Sequence, residues 1–258
     1  MQPNLLMSII LPVILSGIYS NDFTYPKVEK RIVIEEENPY PNVEAIPLPE
    51  GYRRIVEEKS SFGEWLRNIP LRKNNIVYLY DGSIKKDQSS QFAVLDLAIG
   101  KKNLQQCADA VMRLRAEYLY SQKKFDEIVF QDNSNVIYKF GTPINEEHFH
   151  RYLDEVFARC GTLSLEKELL HIKNVRDIKI GDVLIQGGSP GHAMIVIDMA
   201  QNGKGNKICM LAQGYMPAQD IHVVINPMNS KLSPWYEIND NTYYTPGWIF
   251  PPGHFKTW

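Results

Sequence analysis

The chain reads as an α+β protein in which one long helix packs on an antiparallel sheet. Three observations carry this. Leu104–Gln122 is an unbroken run of strong helix formers, and two alternating apolar stretches, Ala193–Met199 and Lys207–Ala212, flank the dipeptide Asn202-Gly203. The helical segments also come mostly before the paired strands, and this segregation marks an α+β fold rather than an alternating βα one.

The first twenty residues stand apart. Leu5–Ile18 is apolar, the right length for the core of a signal peptide and too short for a comfortable membrane span. Cleavage after Ser20 is expected, with an uncleaved N-terminal anchor as the alternative. The protein is therefore expected to be exported, to the periplasm or cell envelope, with no stable membrane span after cleavage. Residues 21–50 carry Pro26, Pro39, Pro41, Pro47 and Pro49 and the acidic run Glu35-Glu36-Glu37, which reads as an extended connector or a strap. The domain proper is expected from about Gly51 to Trp258. A net charge of −2 on 258 residues, with no basic run, gives no reason to expect nucleic acid as a partner.

Ser60 or Ser61 caps a short helix, Glu64 closes a capping box, and Pro70 stops it. Ile76–Tyr80 and Phe92–Ile99 read as strands. Asn103 is the natural N-cap of the long helix, with Leu104, Cys107, Ala108, Val111, Leu114, Ala116 and Tyr118 on its apolar side and Asp109, Arg113 and Glu117 on its polar side. Val136–Phe140 is a short strand. Asn145–Arg159 is a second helix with an acidic first turn, ended by Cys160-Gly161, and Ser164–His171 a third. Asp220–Ile225 is another strand, and the aromatic tail from Pro234 reads as irregular.

The central hairpin is the most specific feature. Asn-Gly between alternating hydrophobics signals a type I′ turn, in which both central residues take positive φ. That turn sets a register in which Asp198 faces Lys207, Val196 faces Cys209, Met194 faces Leu211 and His192 faces Gln213. A histidine at the start of a strand with an amide opposite is an arrangement that orients an imidazole.

Cys107 supplies the matching nucleophile. It lies in the first turn of its helix, where free N–H groups and the macrodipole favour a thiolate and lower the pKa. The expected roles are Cys107 as nucleophile, His192 as general base and then acid, and Gln213 as the group that orients the imidazole. The backbone N–H of Cys107, with Gln106 or Gln105, is the expected oxyanion donor. The competing reading makes Cys107 a core residue of the apolar stripe and His192 a structural histidine. Three cysteines do not form a disulfide framework. Cys209 is placed about 13 Å along the strand from His192, too far to pair with it. Cys160 sits at a helix C-terminus, where the dipole raises a thiol pKa. No metal site is expected: His148 and His150 are two apart on a helix and point in different directions, and His222 and Cys209 have no spacing that suggests one. No phosphate-binding glycine loop is present, and no cofactor is expected. Asp182 in the Gly-Asp turn reads as a turn former.

The block Gly181-Asp182-Val183-Leu184-Ile185, then Gly191-His192-Ala193-Met194-Ile195-Val196, resembles the Gly-Asp…His block of NlpC-type and CHAP-type thiol hydrolases, and Gln106-Cys107 opening a helix resembles the CHAP cysteine motif. That resemblance implies a papain-like fold, a Cys107–His192–Gln213 triad, and hydrolysis of amide bonds in peptidoglycan peptides. Two features depart from it: Ala108-Asp109 follows the cysteine where those enzymes carry Ser-Gly, and two extra helical segments separate Cys107 from His192. An inactive papain-like module that binds cell-wall or glycan ligands is the alternative. Over most of its length the chain also resembles a bacterial family known as domain of unknown function 4846, through Phe62–Arg67, Gln105–Tyr118, Pro190–Ala193 and Pro234–Tyr236.

Overall fold

The computed structural model describes residues 37–258, so the expected signal segment and most of the connector lie outside the described residues. In chain order the elements are β1 (Tyr52–Arg54), α1 (Phe62–Arg67), β2 (Gln91–Val94), α2 (Cys107–Ser121), β3 (Val129–Gln131), β4 (Ile137–Lys139), α3 (Glu146–Arg159), α4 (Thr162–Glu168), β5 (Leu170–His171), β6 (Val183–Gln186), β7 (His192–Asn202), β8 (Lys207–Gln213), β9 (His222–Val224), β10 (Trp235–Glu237), β11 (Tyr243–Thr245), β12 (Trp248–Phe250) and β13 (Phe255–Thr257).

One nine-stranded antiparallel sheet dominates, in the order β2-β9-β8-β7-β6-β13-β5, with β1 added to the far half of β7 and β10 to β8. The fold is α+β. β7 and β8 sit at its centre and bury nearly every side chain, from Ala193 to Ala200 and from Ile208 to Gln213. α2 lies across β7 and β8. Its Val111, Met112 and Leu114 are fully buried, and burial of such large apolar side chains contributes roughly 1.5–3 kcal/mol each.

The short helix α1 is capped as expected, the Glu64 N–H donating to Ser61 Oγ at 3.1 Å. The long helix starts later than Asn103. Gln106 is the N-cap and Cys107 the first helical residue, while Asn103 turns its side-chain oxygen to the Ala218 N–H at 2.8 Å. The expected polar side of α2 is also covered. Asp109 and Arg113 are buried, and Arg113 is satisfied by Glu117 at 2.7 Å and by the Ala98 carbonyl.

Ile76–Tyr80 is not a regular strand: its pairing is confined to isolated bridges at Tyr78 and Leu79. The tail is not irregular throughout, because β13 adds to the main sheet against β6 and β5. Packing begins ahead of Gly51, since Val43 and Ile46 are fully buried in the core. No described helix is long and apolar enough to cross a membrane.

The hairpin between β7 and β8 forms, but with a longer turn and another register. The Asn202 N–H donates to the Asn206 carbonyl and the Gly205 N–H to the Asn202 carbonyl, with Gly205 at φ +83°. Three residues therefore form the loop, with glycine at the left-handed position, instead of the two-residue Asn202-Gly203 turn. Asn202 Oδ1 accepts from the Lys204 and Asn206 N–H groups at 3.0 Å, which favours the wider loop.

Gln201 consequently faces Lys207, Met199 faces Cys209 and Asp198 faces Met210. A bulge between Val196 and Asp198 then shifts the ladder so that Val196 faces Leu211. The expected Asp198–Lys207 pair is absent. Asp198 is fully buried instead and accepts from Arg54 Nε at 2.8 Å and Arg67 Nε at 2.6 Å. Two guanidinium partners explain why a carboxylate can sit on an interior strand.

Candidate functional site

Cys107 and His192 line one cavity of about 720 Å³ at the sheet end where α2 begins. Its walls come from Gln106 and Cys107, the Gly188–His192 loop entering β7, Thr162 and Leu163 at the start of α4, Tyr215 after β8, and Trp248 on β12. The close approach of α2 to the sheet depends on Gly214. A Cβ there would meet the Gln106 carbonyl oxygen at 2.7 Å and the Ala110 Cβ at 3.1 Å.

The backbone N–H groups of Ala193, Ala108 and Cys107 itself favour the thiolate of Cys107. Ala193 directly follows His192, so the thiol sits against the first residues of β7. The lowered thiol pKa expected at a helix start is nevertheless overturned. Burial pushes the Cys107 thiol up, and the carboxyl of Asp109 adds to this, outweighing the three N–H groups. His192 is 2% exposed, and burial brings its imidazole down to about 4. The thiol of Cys107 and the imidazole of His192 are thus both neutral in the resting protein.

His192 Nε2 donates to Gln213 Oε1 at 2.7 Å, both side chains being buried. The two residues meet diagonally, not directly opposite as expected: across the backbone His192 pairs with Gln186 on β6, and Gln213 with His222 on β9. Diagonal neighbours on one sheet face lie within reach of long side chains. Because Nε2 carries the proton, Nδ1 holds the free lone pair. Three rings enclose the imidazole: Tyr215 at 5.0 Å between centroids, Trp248 at 5.5 Å and Phe250 at 5.9 Å.

The two glutamines divide. Gln106 lines the cavity, but its backbone N–H donates to Asp109 Oδ2 at 2.9 Å and is not free for a ligand. Gln105 is turned away. It is buried, accepts from Arg113 Nη1, and borders a separate cavity on the other side of the helix start. Its side chain is thus committed to Arg113.

Cys107 is the partly exposed cysteine; Cys160 and Cys209 are buried. Cys209 lies opposite Met199, farther from His192 than its expected place opposite Val196. Cys160 borders the same cavity as Cys107, and burial pushes its thiol up to about 12. Asp182 holds the turn as expected, accepting the Lys179 N–H at 2.8 Å. Among the described residues no group of three His, Cys, Asp or Glu side chains could hold a metal ion.

Two features of the site leave little trace in the sequence. His222 stands directly behind Gln213, a place that no motif or spacing around it marks. Tyr215, Trp248 and Phe250 carry only a general aromatic signal, because their role depends on where β12 lies and no local pattern encodes that.

Together, fold and site define an α+β protein with a buried histidine–glutamine pair at the end of an antiparallel sheet, on a cavity that Cys107 also lines. The chain belongs to the family described as domain of unknown function 4846, whose model matches residues 43–142 and 131–257. No curated protein and no solved structure matches it.

Proposed function

We propose that this protein is an exported cysteine amidase or endopeptidase of papain-like type, acting on cell-wall peptides. The observation that carries the reading is the His192–Gln213 bond, which fixes the imidazole with Nδ1 bare, in a cavity that His192 and Cys107 both line.

In the reaction, His192 Nδ1 takes the thiol proton as the Cys107 sulfur attacks the scissile carbonyl carbon. The negative charge on the carbonyl oxygen is met by the Cys107 backbone N–H, which has no intrahelical acceptor as the first of its helix and no longer serves a thiolate once the sulfur is bonded to carbon. The C–N bond breaks, and the imidazolium returns its proton to the leaving amine. A water molecule then attacks the thioester while His192 accepts its proton. Release of the carboxylic acid restores the thiol. Because the resting pair is neutral, the imidazole works as a base during attack and does not hold a preformed thiolate. Gln213 on His192 supports the reading, because the thiol-hydrolase resemblance implies a polar third residue there.

A second reading is favoured by the raised thiol pKa of Cys107 and by Tyr215 and Trp248 on the cavity wall. In that reading the cavity binds a cell-wall or glycan ligand without cutting it, stacking sugars on the rings.

Digestion of purified peptidoglycan, followed by mass spectrometry of the soluble fraction, separates the two. New amino and carboxyl ends released by the parent protein and not by Cys107→Ala are expected. Binding that survives Cys107→Ala, with no fragments released by either protein, would overturn the hydrolase reading in favour of the second.

A further inference from the structure

Behind His192 and Gln213 lies a second buried histidine that the reaction above does not use. His222 on β9 is fully buried. Its Nε2 stands 3.3 Å from Gln213 Nε2, and its Nδ1 stands 2.9 Å from the backbone carbonyl oxygen of Asp220. These contacts form one chain with the His192–Gln213 bond, and the hydrogen-bonding capacity of each member decides where every proton sits.

The chain is anchored at Asp220, because a backbone carbonyl can only accept. His222 Nδ1 therefore carries its proton, and in a neutral ring Nε2 is then an acceptor. Burial brings the His222 imidazole down to about 3, so the ring is neutral. An acceptor at Nε2 selects the NH2 end of the Gln213 amide. The carbonyl end then faces His192, which must present Nε2–H and keep Nδ1 bare. Flipping the amide would set its oxygen against the bare His222 nitrogen, acceptor against acceptor, and leave its NH2 toward His192. The Asp220 carbonyl is itself held in place. The Asp220 carboxylate accepts from Arg72 at 2.6 and 2.9 Å and from the Tyr78 N–H at 2.8 Å, and His222 pairs with Val94 on β2.

We infer that His222 is a positioning residue of the Cys107–His192 site: through the Gln213 amide it imposes on His192 the tautomer with a bare Nδ1. Its consequence for catalysis rests on the hydrolase reading, but the tautomers themselves do not. The relay also accounts for glutamine at 213. Only a side chain with a donor at one end and an acceptor at the other transmits orientation between two imidazoles.

Imidazole nitrogen NMR on histidine-labelled protein at neutral pH reads the tautomers directly, with His192→Asn and His222→Gln used to assign the rings. The parent is expected to show His222 protonated at Nδ1 and His192 at Nε2. In His222→Leu the Gln213 amide loses its acceptor, and His192 is expected to become a mixture of tautomers, with alkylation of Cys107 slowed at least tenfold. His222→Gln, whose carbonyl can accept from Gln213, is expected to restore the Nε2–H form and most of the rate. If His222→Leu does not fold, the parent spectrum and His222→Gln decide. A parent with His222 protonated at Nε2, or with His192 protonated at Nδ1, overturns the inference. The expected tautomers in a protein that cuts nothing leave the relay standing and sink the hydrolase reading. Wrong tautomers in an active protein sink the relay alone.

Discussion

Replacing Gly214 by alanine tests whether the position of the α2 start sets the chemistry. The new Cβ would lie 2.7 Å from the Gln106 carbonyl oxygen and 3.1 Å from the Ala110 Cβ. Non-bonded heavy atoms settle near 3.5 Å, so the helix start must retreat by roughly 0.4–0.8 Å. A dense interior resists such shifts, and overpacking of this size costs about 1–3 kcal/mol. Thermal unfolding should fall by roughly 2–10 °C. The same movement displaces Cys107 relative to His192, and a displacement approaching 1 Å at a reacting atom costs up to about 10²-fold in rate. Alkylation of Cys107, followed by mass spectrometry of its peptide, should therefore slow by about ten- to a hundredfold. Gly203→Ala is the control. A Cβ at Gly203 meets nothing within 4 Å, so stability should stay within about 0.5 kcal/mol and the rate at the parent value. A destabilised Gly214→Ala protein whose Cys107 reacts at the parent rate would refute the reasoning.

Removing the shared carboxylate in Asp198→Ala strands Arg54 and Arg67, and urea unfolding should show a loss of about 3–5 kcal/mol; a loss under about 1 kcal/mol would contradict the buried triad. Asp109 has a folded-state pKa raised from 3.8 to about 8 by burial, so its contribution is full below about pH 4 and is lost as pH rises through 8. Asp109→Asn keeps an acceptor for the Gln106 N–H and cannot ionise, so its melting temperature should gain on the parent between pH 5 and pH 8.5; a difference that does not change with pH would count against this. His192 and His222 act in the opposite direction. Their pKa values are depressed to about 4 and about 3, so the stability they contribute is present above about pH 6.5 and lost as pH falls toward those values. His222→Gln should flatten the acid side of the stability profile, as read by unfolding at pH 4 and pH 7; an unchanged acid side would contradict the neutral burial of His222.

The sequence signals that proved reliable were local ones. The Ser61 cap of α1, the Asn145 cap of α3 and the helix formers of α2 act through neighbouring residues, and each produced its helix. The hairpin was legible as a hairpin but not in its register. The side chain of Asn202 bonds two N–H groups of its own loop, and the buried arginines draw Asp198 inward at a bulge; neither effect is encoded in the dipeptide that signals the turn. His192 and Gln213 still meet, because a long amide spans the diagonal that the shifted register leaves. The direction of the thiol shift was illegible for a related reason. A helix start can be read from sequence, but the depth at which it is buried cannot, and burial outweighs the dipole at Cys107. The site's second layer, His222 and the Asp220 carbonyl, comes from β9 and the residues just before it. The adjacency of β9 to β8 is a property of the sheet order.

The most direct test of the cysteine–histidine site is the rate of Cys107 alkylation between pH 5 and pH 9, resolved by peptide, in the parent and in His192→Ala. Cys107 is expected to react at least tenfold faster than Cys160 and Cys209 throughout, and to lose most of that advantage when the imidazole is removed. Uniform, slow labelling of all three cysteines, unchanged in His192→Ala, would contradict the proposal that Cys107 and His192 form a working pair.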